Sequence, residues 1–420
     1  MSRIARRKLI AVLVVAATAL APTSAASATP ADLAPASAAS VDADRLPEPP
    51  AEAVAAAERA GSGPVLTEKC ARERRQKVAS ARATTGDATG KATVATCSDY
   101  KPASGTGGAR PNAIPSNCPS TWGYTRTTGC INTTAGVIVY IVQTGAIVGG
   151  FDYQVVSYAN VSVTSRSWTH ETEFTMLLAW GQVAGTFIRG DAWCTGPCSA
   201  NPSTPDQWFY ALTARAQMSV TANAITGGTP VNVQTNVGWW FCNVAWYNGC
   251  TNALIATPQP VRCDTSVPGA SPGCVFGHVV PVFNVYSFEH PSFARHVALA
   301  IGYGLKSRLT RLTDPTAQEN NGNRACPASI PKPSSDWSCD EYPFRSTWEG
   351  AYTGGHQYGR TFDGCQIAPN IAQVRQPGDN GGYSICLIPA TENSGGGSDL
   401  SVFYRTNRVL EREAFDVVVN

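Results

Sequence analysis

Three acids stand in the stretch "SCDEYPFRSTWEGAY", Ser338 to Tyr352: Asp340 and Glu341 side by side, and Glu349 eight positions beyond the second. A carboxylate can take a proton from water, orient a water, or hold a hard cation. Neighbours on an extended strand point to opposite faces, so one of Asp340 and Glu341 should face a site and the other make a supporting contact. Taken alone, the segment reads first as a surface turn held by salt bridges, because the proline ending "DEYP" favours an extended or turning backbone. His356, in the glycine-flanked loop "GGHQYGR", is the rival base, since an imidazole titrates near neutrality.

The elements that must position these groups belong to a chain of 420 residues. Residues 1–28 carry Arg3, Arg6, Arg7 and Lys8, an apolar run "LIAVLVVAATALA", and "ASA" ending at Ala28, which is the layout of a secretory signal peptide. No other run approaches the roughly 20 apolar residues of a spanning helix, so a secreted, extracellular protein with no membrane partner is expected. The 14 cysteines suit oxidising surroundings. Cys194 and Cys198, Cys242 and Cys250, Cys263 and Cys274, and Cys326 and Cys339 are close pairs with loop-like contents, although spacing alone does not fix connectivity. Cys339 is expected to be oxidised, with Cys326 as the favoured partner, anchoring the strand that presents Asp340. "CTGPC" at 194–198 reads as a disulfide rather than half a zinc site, because no second pair with a nearby histidine follows. Without the four leader cations the formal charge of +2 becomes slightly negative, so no global basic field announces a polyanion.

Composition divides the rest. Residues 29–117 are rich in Ala, Ser, Thr, Gly and Pro and read as a low-complexity leader or pro-region. Within them "EKCARERRQKVASARA" is a basic helical stretch, expected to be a solvated surface or processing segment. Residues 118–260 form a β-rich accessory domain: "GVIVYIVQT", "YQVVSYANVSVTS" and "VNVQTNVGWWF" alternate between turn residues, as in an antiparallel sandwich. Trp239, Trp240 and Trp246 should fill its core or rim rather than make a stacking surface. Residues 261–420 mix element types. "PSFARHVALAIGYG" has the spacing of an amphipathic helix, "YSICLIPAT" reads as a strand, "SDLSVFYRTNRVL" as a helix with Ser398 available as its cap, and "AFDVVV" as a closing strand. The expected architecture is a β-sandwich-like all-β domain followed by an α+β domain.

"CDEYPFRSTWEGA" resembles the signature of the NucA/NucB-type secreted bacterial deoxyribonucleases, in which Asp-Glu, an aromatic, Pro and a later Glu-Gly recur at this spacing. "HPSFARHVALAIGYG" resembles that family's amphipathic segment, with His296 at its histidine. "NNGNRAC" puts Arg324 at a family arginine, and "TENSGGGSDL" puts Asn393 at a family asparagine. The resemblance covers about residues 283–420. It implies a ββα-metal, His-Me-finger-like nuclease core in a metal-dependent endonuclease that hydrolyses the phosphodiester bonds of DNA. Asp340 would be the base, Asn393 on the paired strand would help hold one divalent cation, and Glu341 and Glu349 would orient water or base, Glu349 also as a metal contact.

The chemistry is reasonable in its own terms. Phosphodiester hydrolysis needs an activated water, stabilised charge on phosphorus and help for the departing oxygen, and Mg²⁺ or Mn²⁺ suits oxygen ligands. Arg324, Arg345 and Arg405 are candidate phosphate clamps. Between Cys263 and Asn420, ten Arg and two Lys face fifteen Asp and Glu, so a cation must supply part of the attraction to DNA. The residues themselves do not discriminate DNA from RNA. Two departures from the short members stand out: an insertion before Asn393, pinned by Cys365 and Cys386, and a following helix without their amide pair, which leaves Asp399 and Asn407 both open as a third metal contact. Two other readings are an inactive extracellular binding or surface protein and a nuclease toxin delivered to competing cells.

Overall fold

The computed structural model describes residues 67–84, 94–101, 118–209, 213–223, 225, 228–246, 249–367 and 382–420. The signal-peptide expectation falls outside them.

Alternation builds the first domain. Strand Thr213–Ala222 buries Ala214, Ala216, Met218, Val220 and Ala222 while the residues between face outward or lie part-exposed, as a half-buried strand should. It belongs to a seven-stranded sheet ordered Val94–Lys101, Thr128–Ile141, Ile147–Asn160, Ser167–Gly181, Thr213–Ala222, Cys198–Ser203, with Gly123–Tyr124 paired to Thr128–Ile141. A six-stranded sheet is ordered Gly273–Val275, Val261–Asp264, Val231–Cys242, Phe187–Thr195, Asp206–Trp208, with Leu254–Ala256 paired to Val231–Cys242. Side chains of both sheets meet in one core around Phe151, Tyr153, Phe174, Phe209, Trp239 and Phe241. Trp239 and Trp246 are buried there, and the Trp239 indole N–H donates to the Tyr153 hydroxyl at 2.8 Å.

Two boundaries move. Val94–Lys101, read from composition as leader, pairs along its whole length with Thr128–Ile141, and Cys97 is bonded to Cys70 of the helix Glu68–Thr84. Val261–Asp264 and Gly273–Val275 belong to the sandwich, so a border at 260 cuts its second sheet. Strands of three or four residues are too short to show alternation in sequence.

The elements of the second domain are labelled here in chain order: β1 Val282–Val285, α1 Pro291–Gly302, β2 Arg308–Thr310, α2 Pro315–Ala325, β3 Trp337–Tyr342, β4 Gly359–Arg360, β5 Tyr383–Pro389, α3 Ala390–Thr406 and β6 Ala414–Val419. They form two small sheets, β1-β6-β2 and β3-β5-β4. β3 and β5 are antiparallel and α3 follows β5 directly. A core around Phe283, Phe293, Val297, Tyr342, Phe403 and Phe415 joins the helices to the sheets.

α3 corrects the expectation that Ser398 caps this helix. Ser398 lies inside it, its hydroxyl donating to the Ser394 carbonyl at 2.8 Å, and the helix begins at Ala390 after Pro389. Its first half contains Gly395, Gly396 and Gly397, each costing about 1 kcal/mol of helix propensity relative to Ala. Packing explains two of them: a Cβ would stand 2.2 Å from the His290 ring at Gly395 and 2.7 Å from the Phe293 ring at Gly396. α2 has no apolar stripe, and Asp314 caps it by accepting from the backbone N–H groups of Thr316 and Ala317.

All seven disulfides of the structure are intradomain ties, and they include the four close pairs and Cys365–Cys386. Cys326–Cys339 fixes the end of α2 to β3 one residue before Asp340.

Candidate active site

β3 alternates as expected. Asp340 turns toward α1 and Glu341 toward the end of α2, where its Oε2 lies 3.8 Å from Cys326 Sγ. Asp340 is only 3 % exposed, and its Oδ2 is 2.6 Å from Nδ1 of His296, which is 0 % exposed. Nε2 of His296 is 2.9 Å from the hydroxyl of Ser384 on β5. Ser384 stands opposite Tyr342 in the β3–β5 register and donates to the Tyr342 carbonyl at 3.4 Å. A helix and both strands thus fix the carboxylate in one orientation. Among the described residues, no protein donor meets its second oxygen, Oδ1.

Glu341 is half-buried. Burial pushes its carboxyl up to about 7, the charge of Asp340 pushes the same way, and Arg345 draws it back down. The folded state therefore holds a proton here that the unfolded chain releases near pH 4.5. The stability this contributes is complete below about pH 4.5 and lost as pH rises through about 7. Glu341→Gln removes the titration, so its melting point should gain on the parent's between about pH 5 and pH 8, by the equivalent of about 1–3 kcal/mol. A difference independent of pH would reject this account.

Asn393 lies in the first turn of α3, not on the paired strand as expected. Its Nδ2 donates to the Ser338 hydroxyl at 2.7 Å and the Cys339 carbonyl at 3.1 Å. That orients the amide and leaves Oδ1 as the atom able to accept a donor or a cation.

Asp340, Glu341, Arg345 and Asn393 line one cleft of about 330 Å³, together with Arg311, Gln318, Ser346, Tyr404 and the apolar Phe293, Leu312, Phe344 and Leu400. Arg311 was not anticipated; nothing in "RLTRLTD" marks it. Its guanidinium sits 4.5 Å over the Tyr404 ring and donates to the Val409 carbonyl, and burial holds its pKa below the usual arginine range.

The other expected residues stand outside the cleft lining. Both Glu349 oxygens are taken by Thr310, from its backbone N–H at 2.8 Å and its hydroxyl at 3.0 Å, so Glu349 pins β2 instead of facing the cleft. Arg324 donates to the His356 carbonyl and lies over the Tyr352 ring. Arg405 is exposed in the last turn of α3. His356, the rival base, sits in the connection between β3 and β4. Asp399 pairs with His290 at 3.1 Å, and the Asn407 amide donates to the Phe403 carbonyl at the end of α3.

Residues 305–418 match the family model for deoxyribonuclease NucA/NucB. The C-terminal domain is of the NucA/NucB type. The match spans β2 to β6 and holds Asp340, Glu341 and Asn393, whereas His296 on α1 precedes it. No curated protein matches the chain. Within the NucA/NucB-type domain the β3–β5 pair and α3 converge on Asp340 and Asn393, so one strand and one helix end supply the polar floor of the cleft.

Proposed function

We propose that the chain is an exported, cation-dependent endonuclease that hydrolyses phosphodiester bonds of DNA. One observation carries the reading: within the segment matching a deoxyribonuclease family, a carboxylate held by a buried histidine shares a cleft with an oriented asparagine and two arginines.

The oxygens available in the cleft, Asn393 Oδ1, Asp340 Oδ1 and the Glu341 carboxylate, are hard donors. Among the described residues no three His, Cys, Asp or Glu side chains form a metal cluster. Such a set fits Mg²⁺ or Mn²⁺ held by one or two side chains with most of its water retained, and does not fit a zinc cage. When bound, the cation would stabilise charge on the phosphate and the departing oxygen. Asp340 takes the proton of the attacking water at Oδ1 while His296 holds Oδ2. The new P–O bond forms as the bond to the 3′ oxygen breaks, and solvent protonates that oxygen. Arg311 and Arg345 clamp the non-bridging oxygens. DNA rather than RNA rests on the family description; export rests on the N-terminal segment and the disulfides.

The test is full-length protein with plasmid DNA and with RNA, with Mg²⁺, Mn²⁺ or EDTA; cleavage indifferent to EDTA would reject the cation. Asn393→Ala should weaken cleavage through cation affinity, by about 10- to 100-fold at limiting Mg²⁺, and excess cation should restore part of it. A loss that no cation concentration relieves would assign Asn393 a different role.

A further inference from the structure

We infer that Arg324 and Tyr352 form a stacking platform for unpaired nucleotides of the DNA strand that passes through the cleft. The inference rests on the nuclease reading and gives the insertion after Glu349 a task.

Tyr352 is 48 % exposed, yet its backbone is fixed. Asn321, only 1 % exposed, accepts the backbone N–H groups of Tyr352 and Thr353 at 2.9 and 2.8 Å, while its Nδ2 donates to the carbonyls of Arg345 and Thr347. A buried amide therefore fixes the backbone that carries an exposed ring before any ligand arrives, and a preorganised backbone gives up little freedom on binding.

Arg324 lies with Cζ 5.2 Å from the Tyr352 ring centre, and its Nη1 donates to the His356 carbonyl at 3.1 Å. Tyr358, 39 % exposed, follows two residues later. From Gly350 to Phe362 the chain has no acid. An aromatic face beside a cation, on a segment without acids, supplies the ingredients of a single-strand platform.

The patch is tied to the cleft through Asn321, which donates to the Arg345 carbonyl and accepts the Tyr352 backbone N–H. Arg345 lines the cleft and approaches Gly322, where a Cβ would stand 3.8 Å from its Nη1. At 100° per residue, Gly322 and Arg324 stand about 160° apart on α2 with Asn321 between them, so Arg345 and Arg324 lie on either side of that amide. Phosphates would meet the two arginines and a base would meet Tyr352. A base face is open to a ring only where the duplex is parted, which makes unpaired DNA the ligand.

The test uses the full-length chain carrying Asp340→Asn, in EDTA, with a fluorescent oligothymidylate of about 20 nucleotides and a duplex of the same length. Tyr352→Ala should weaken single-strand binding about 5- to 150-fold and duplex binding less than about threefold, with an unchanged melting temperature. Tyr352→Phe keeps the ring and should stay within about twofold of the parent. Arg324→Ala should weaken both ligands and lower the salt slope by about 1. Equal losses on both ligands, or normal single-strand binding by Tyr352→Ala, would overturn the platform. If wild-type protein cleaves plasmid while Tyr352→Ala binds normally, the platform fails and the nuclease reading stands. If Tyr352-dependent binding occurs without cleavage, the nuclease reading fails and the platform stands.

Discussion

Asp340→Asn should lower plasmid cleavage by about 10²- to 10⁴-fold at saturating cation while circular dichroism and melting temperature stay close to the parent's. Asparagine keeps the shape of the side chain, and its carbonyl oxygen can still meet His296 Nδ1, the contact now made at 2.6 Å. Its amide cannot take a proton from water, so the chemical step is lost and the scaffold is spared. Alanine would be a poorer probe, because it strands the buried His296 nitrogen at a cost of about 1–3 kcal/mol and mixes misfolding with lost chemistry. His356→Ala is the comparison. The His356 ring is outside the cleft lining, so this variant should keep more than about a tenth of the activity. A dead His356→Ala beside an active Asp340→Asn would return the three acids to the salt-bridged surface turn that their local sequence first suggests.

The site was only partly legible in sequence, and the reasons are physical. The adjacent acids and their division between two faces follow from strand geometry. The partner that orients Asp340 lies 44 residues away, and the family resemblance, not any local pattern, drew attention to His296. Glu349 matched the motif but its oxygens were captured by Thr310, a contact set by how β2 packs beside the loop. The start of α3 was hidden by three glycines that weaken a helix locally and are required by the His290 and Phe293 rings packed against it. Close cysteine pairs and alternating strands, by contrast, are local signals, and those readings agree with the structure.

The least legible feature is the junction between the two domains, and it sets the second large expectation. Arg408, fully buried, donates to the Asp264 carboxylate at 2.6 and 3.2 Å, to the Asp264 carbonyl at 2.7 Å, and to the carbonyls of Val163 and Ser271, both at 2.8 Å. Beside it Arg126 and Arg262 bind opposite oxygens of Glu413 at 2.6 and 2.7 Å, and both also donate to the Arg408 carbonyl. Arg126 and Asp264 belong to the sandwich, whereas residues 407–413 run straight on from α3, so the sandwich grips the segment leaving the helix that carries Asn393. Breaking a buried ion pair by removing one partner costs about 3–5 kcal/mol, because the other charge is left without a counterion. Arg408→Ala and Asp264→Ala should therefore each lower the melting temperature by about 6–20 °C. Asn393 is pinned separately, by Ser338 and Cys339, at the far end of α3. Cleavage measured well below the transition should then stay within about threefold of the parent, which separates a stability role from a chemical one. Residues 281–420 alone should fare worse than either variant, since removing the sandwich takes Asp264 and the Val163 and Ser271 carbonyls from the Arg408 side chain and both arginines from Glu413. Calorimetry of Arg408→Ala that found a shift under about 2 °C would show that hydrophobic contacts, and not this ion pair, hold the two domains together.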